Sequence, residues 1–157
     1  MEMTTFEING KTYFHDSVGN LILEENVRQS SQQIRTPKDI IHFLSAERAD
    51  KQENVIVFTL DGGNKMINKH NVGKGIANSC TIHPREIFHA AIKDSAVSIM
   101  LVHNHPSGNK EASESDLAAT KRLVEAGKLL GIPVLDHVIV TPLDFTSIRE
   151  HYPHYFG

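Results

Sequence analysis

The chain has 157 residues, 39% hydrophobic and 22% charged, enough for one domain with a sizeable core and a small N-terminal attachment. No apolar run approaches the roughly 20 residues of a membrane span, and the start Met1-Glu2-Met3-Thr4-Thr5-Phe6-Glu7 lacks the basic-then-apolar order of a signal peptide, so a cytoplasmic protein is expected. A single cysteine, Cys80, excludes an internal disulfide and a cysteine-rich zinc site, and a net charge of −3 with no basic cluster denser than Lys121-Arg122 gives no support to general nucleic-acid binding.

Residues 5–23 read as one or two hairpins: Phe6 to Phe14 alternates around Asn9-Gly10, a strong turn pair, and Val18 to Ile22 offers a second turn. Glu24 to Arg35 is polar and rich in Gln and Ser, so it reads as a linker. This divides the chain into an N-terminal hairpin appendage, residues 1–30, and a main domain, residues 31–157. Thr36-Pro37 opens a helix as N-cap and first residue, with Ile40, Ile41, Phe43 and Leu44 on its inner face. A strand over 55–60 leads through the turn Asp61-Gly62-Gly63-Asn64 to strands near 65–72 and 76–82. Cys80 falls in the last of these, as packing rather than as a nucleophile. Pro84 starts a helix whose stripe is Ile87, Phe88, Ala91 and Ile92. An apolar strand, Ala96 to Val102, follows, then a helix ending at Gly131 and a last core strand over 133–140. Strands alternating with helices predict an α/β/α sandwich with a mixed sheet.

Residues 103–116 carry the chemistry: His-Asn-His-Pro-Ser-Gly-Asn-Lys-Glu-Ala-Ser-Glu-Ser-Asp. In extended backbone, side chains two apart share a side, so His103 and His105 can converge on one ion. Pro106 biases His105 toward the extended region as the strand ends. Ser113 suits a helix N-cap, and Asp116, three residues on, stands at the mouth of that helix. Two imidazoles and a carboxylate leave the fourth tetrahedral position to water, the pattern of a catalytic zinc site. A water on such an ion needs a base. Glu53, Glu47, Glu86 and Glu111 are candidates, and spacing alone does not choose among them.

His-x-His-Pro followed by Ser-x-x-Asp resembles the JAMM (MPN-plus) metallopeptidase motif. Val102 to Gly108, Leu135-Asp136-His137-Val138-Ile139-Val140 and Pro84-Arg85-Glu86-Ile87 look like the RadC-like JAB domain of bacteria, over about residues 36–150. The resemblance implies the JAB/MPN, cytidine-deaminase-like fold, a Zn2+ cofactor on His103, His105 and Asp116, Glu53 as general base and Ser113 as a donor to the oxyanion. Long RadC proteins carry an N-terminal helix-hairpin-helix DNA-binding module, and residues 1–30 do not match it.

The implied activity is hydrolysis of a peptide or isopeptide bond in a protein substrate. Two alternatives stand beside it: a DNA-repair or mobile-element processing role, as nuclease or accessory factor, and a catalytically silent MPN scaffold. Among the other histidines, His137 is either a hydrogen-bonded core residue or an outer partner of the metal. His83 reads as a helix-terminal residue, and His15, His42, His70 and His89 have no partner at ligand spacing. His151 and His154 flank Tyr152-Pro153 in an aromatic tail that reads as a docking segment, with a second copy of the chain, a homodimer, as one partner.

Overall fold

The computed structural model describes residues 5–15, 19, 21–23, 33–75 and 82–157. The chain forms two compact units, Met1–Gln32 and Gln33–Gly157. In the first, β1 (Thr5–Ile8) and β2 (Lys11–His15) pair antiparallel with Phe6 opposite Tyr13, and β3 (Leu21–Leu23) adds to β2. Asn9 and Gly10 both take positive φ, 51° and 73°, as a two-residue primed turn requires. Val18 and Asn20 of the expected second turn, the linker from Glu24 to Gln32 and the strand expected over 76–82, with Cys80, lie outside the described residues; of these last, Ile82 alone is described, and it is buried outside any strand.

In the second unit, Thr36 caps α1 (Pro37–Ile41), its backbone N–H donating to Asp39 Oδ2 at 2.7 Å. A short α2 (Ser45–Ala49) precedes β4 (Glu53–Leu60), so Glu53 is the first residue of the strand rather than a residue ahead of it. The Asp61 carboxylate accepts from Gly63 and Lys65 N–H and closes the turn to β5, which runs as one strand over Met66–Gly75, longer than the expected 65–72. Then come α3 (Pro84–Lys93), β6 (Ser98–Asn104), α4 (Glu114–Leu130), β7 (Val134–Val140), β8 (Phe145–Ser147), α5 (Ile148–His151) and a 3-10 turn at Pro153–Tyr155.

The sheet order is β5-β4-β6-β7-β8, with β6 and β7 parallel and the other neighbours antiparallel. Period-two alternation divides the core between its faces. Val55, Val57, Ile99 and Leu101 pack against Ile87, Phe88 and Ala91 of α3 and Leu123 and Val124 of α4. Ile56, Phe58, Met100, Val102 and Val138 pack on the other face with Ile40 and Leu44. The result is the expected α/β architecture, a mixed sheet with helices on both faces.

Two further details differ from the sequence reading, the limits of β6 and the inner face of α3. β6 begins at Ser98 and continues past Val102 through His103 and Asn104, because β4 and β7 still pair with it there: His103 faces Val55 on one side and Ile139 on the other. On α3, Ala90 takes the fourth buried position and Ile92 is 59% exposed. With 100° per residue, Ile87, Phe88, Ala90 and Ala91 already fill the inner arc, and Ile92 falls past its edge.

Candidate metal centre

The alternation that fills the core also aims the site. His103 continues the row of Ile99 and Leu101, the row facing α4, and is buried. His105 lies one residue beyond β6, yet its backbone N–H still donates to Val140 O at 2.8 Å, which keeps it in register. Behind it Pro106-Ser107-Gly108 turns the chain, with Gly108 N–H donating to His105 O at 3.1 Å and Gly108 at φ 82°, a conformation glycine takes without strain. Seven residues after His105, 106–112, the chain reaches the Ser113 N-cap of α4.

That cap is reciprocal. Ser113 Oγ accepts from Asp116 N at 3.1 Å, and Ser113 N donates to Asp116 Oδ2 at 2.8 Å. It points the Asp116 carboxylate back at the strand end, with Oδ1 3.1 Å from His103 Nδ1 and Oδ2 3.3 Å from His105 Nε2. The two imidazoles meet edge-on, centroids 4.8 Å apart. His105 Nδ1 lies 2.8 Å from Asn109 O, a group that only accepts, so Nδ1 carries a proton, and Nε2 presents a lone pair to the site once the ring is neutral.

Among the described residues, His103, His105 and Asp116 are the group that could hold a metal, each offering a ligand atom within 4.8 Å of the others. The donors suit one ion. Tetrahedral zinc ligands at about 2.0–2.1 Å stand about 3.3 Å from one another, close to the Asp116–imidazole separations of 3.1 and 3.3 Å. His103 Nε2, the ring nitrogen on the side of Glu53, is buried without a hydrogen-bond partner among the described residues.

Electrostatics agrees with the geometry. Burial pushes the Asp116 carboxyl upward, but His103, His105 and the Ser113 N–H outweigh it and hold the group ionised, well below the carboxylate range. The Asp116 hydrogen bond in turn raises His105, against the opposing effect of its burial.

A cavity of about 420 Å³ opens over these residues and is lined also by Glu53, Glu111 and Ser113. Glu53 shares the face of Val55, and its Oε2 stands 3.7 Å from His103 Nε2. The rival carboxylates separate clearly. Glu47 is bound to Lys69 at 2.5 Å and Glu86 to Arg85 at 3.5 Å, both away from the cavity lining, whereas Glu111 lies exposed on its rim.

His137 is fully buried and stacked beside His103, centroids 6.4 Å apart. Thr120 Oγ1 donates to Asp116 O at 2.7 Å, so His137 Nδ1–H must donate to Thr120 Oγ1, also at 2.7 Å. Burial first, and then the neighbouring His103, push its pKa down to about 3, so it stays neutral. His83 is the N-cap of α3, and His70 has a partner that spacing did not reveal, Asp94 at 2.5 Å. The aromatic tail packs on its own domain: Lys121 Nζ lies 4.5 Å over the Tyr155 ring and Phe156 joins the core beside α4. Asn104, which the sequence reading passed over, is 2% exposed between the two histidines.

Comparison with known proteins points the same way. The family model for the RadC-like JAB domain matches residues 34–153. A UPF0758 protein of Clostridium perfringens is 46% identical over 118 residues, covering 74% of this chain and 52% of the relative. A UPF0758 protein of Bacillus pumilus is 45% identical over 118 residues, covering 74% and 53%. One of the archaeon Methanosarcina mazei is 38% identical over 129 residues, covering 82% and 56%. The chain thus spans about half the length of the curated relatives it matches.

Proposed function

Because the chain belongs to the RadC-like JAB domain family, we propose that it is a zinc-dependent hydrolase of peptide or isopeptide amide bonds. One observation carries the reading: Glu53, a carboxylate with no other ion pair among the described residues, shares a cavity with the three metal-capable side chains and stands 3.7 Å from His103 Nε2. Two imidazole nitrogens and a carboxylate oxygen favour zinc over the oxygen-seeking magnesium and calcium. When bound, zinc would polarise a substrate carbonyl and render water acidic enough to attack near neutral pH.

The chain's own groups supply the rest. His103, His105 and Asp116 would hold the ion, and their mutual contacts fix their orientation before it arrives. Glu53 Oε2 takes the proton of the attacking water and returns it to the leaving nitrogen, which departs as an amine. Ser113 Oγ accepts the Asp116 N–H through one lone pair, and its own O–H remains to donate to the carbonyl oxygen as negative charge builds there. Capping the helix and steadying an oxyanion are compatible roles for one hydroxyl.

Incubation of the purified protein with a mixture of fluorogenic peptides and with supercoiled plasmid tests the reaction class. The expected outcome is peptide cleavage abolished by zinc chelators and hydroxamates, with the plasmid intact. Plasmid nicking that disappears in both His105→Ala and Glu53→Gln would overturn this reading in favour of DNA processing.

A further inference from the structure

The residue between the two histidines faces away from the site, on the row of Met100 and Val102, and is closely engaged there. Asn104 Oδ1 accepts from Asn54 N, and its Nδ2 donates to Glu47 O and to Gln52 O, both at 2.9 Å. Only this orientation of the amide works, since an N–H must meet Oδ1 and two carbonyls must meet Nδ2. Gln52 O belongs to the peptide unit before Glu53, and Asn54 N to the one after it. A single side chain therefore grips both peptide groups of Glu53.

Resting on the reading of Glu53 as base, we propose that Asn104 is a positioning residue for it: the same three-residue strand end that presents His103 and His105 to a metal also fixes the backbone from which Glu53 reaches that metal. Alternation makes this possible, because His103 and His105 point to one face and Asn104 to the other. The β4–β6 register places Asn104 beside Asn54, where the backbone ladder gives out and the side-chain amide replaces it. Asn54 reinforces the grip. Its Nδ2 donates to Gln52 O at 3.0 Å and to Asp50 Oδ2 at 3.1 Å, and its Oδ1 accepts from Asn71 Nδ2 at 2.8 Å. Asn104 is thus the pin that keeps ligands and base in one geometry. Aspartate would match its shape but set acceptors against two carbonyls, and serine could not span three partners.

The test uses the full zinc-loaded chain and the variants Asn104→Ala, Asn104→Asp, Glu53→Gln and Asn104→Ala/Glu53→Gln; the isosteric Asn104→Asp carries it if Asn104→Ala fails to fold. Zinc stoichiometry, kcat and KM on the fluorogenic peptide mixture, and amide exchange at Asn54 are measured. Both Asn104 variants should keep their zinc and KM, lose about ten- to a hundredfold in kcat through a displaced base, and exchange the Asn54 amide at least about tenfold faster. The double variant should be no slower than Glu53→Gln alone, because Asn104 acts through Glu53. Wild-type kcat in the Asn104 variants, an additive loss in the double variant, or an unchanged Asn54 amide would overturn the proposal and leave the function standing. Wild-type kcat in Glu53→Gln would instead remove the base assignment, and the positioning role with it.

Discussion

At the residue scale, the balance at Asp116 governs the site. Two imidazoles hold its carboxylate ionised, and the same contacts raise His105. In the metal-free chain these shifts act in opposite directions with pH. The raised His105 contributes stability that is full below the ordinary imidazole pKa of about 6.5 and lost as pH rises through the folded value, whereas the lowered Asp116 contributes stability present above about 3.9 and lost as pH falls through its folded value. Thermal melts of metal-free protein should therefore show these residues stabilising most in mildly acidic solution. Zinc affinity should do the reverse, weakening as pH drops through the raised His105 value, because a proton must leave before the metal binds. Purified protein should carry close to one zinc per chain. His103→Ala or Asp116→Ala should lose more than the about 10–100-fold in affinity that even outer partners of a metal site command. Full zinc content in a double-histidine variant would refute the ligand assignment. That His103, His105 and Asp116 come together was legible because strand and cap spacings are local, whereas Glu53, on the same cavity, was singled out only by the family resemblance. Asn104 was not, since its partners lie 50, 52 and 57 residues away and an Asn in His-x-His reads as a spacer.

At the element scale, the sequence is clearest where periodicity runs long. The strand of Val55–Leu60, three of the four residues of the α3 stripe and the helix from Ser113 to Gly131 were legible, because a buried face repeats over several turns or pleats. β8, at three residues, and α5, at four, are too short to show a period; their place depends on Asp136, whose Oδ2 accepts from Ser147 Oγ at 2.6 Å and whose Oδ1 accepts from Arg149 N at 3.1 Å. The end of α4 offers a direct test of packing against propensity. Alanine normally gains about 1 kcal/mol over glycine inside a helix. At Gly127, however, an added Cβ would lie 2.5 Å from the Ile132 backbone carbonyl, which a side-chain rotation cannot relieve. Gly127→Ala should lower stability by about 1–3 kcal/mol in urea unfolding. A stabilised variant would mean that the α4–β7 turn yields readily.

For the molecule as a whole, the two compact units invite separation. The first is built on strands of three to five residues, and those of β1 are exposed along their length, a sheet with little independent stability. The second contains both hydrophobic clusters and every residue assigned to the site. A chain of residues 31–157 should fold and bind zinc as the full chain does, measured by circular dichroism and metal analysis. Failure to fold would mean that residues 1–30 complete the sheet or an interface between copies. No helix among the described residues is long and apolar enough to cross a membrane. In the sequence, a net charge of −3 comes with no basic cluster denser than Lys121-Arg122, which gives no support to general nucleic-acid binding.

The most direct test of the zinc-hydrolase account is a side-by-side measurement of bound zinc and turnover in wild type and Glu53→Gln. The amide keeps the shape of the carboxylate and leaves the three ligands untouched, but it cannot carry a proton. The account predicts undiminished zinc with a loss of about a hundredfold or more in kcat. Wild-type turnover in Glu53→Gln, with zinc in place, would contradict it and turn attention to Glu111 on the cavity rim.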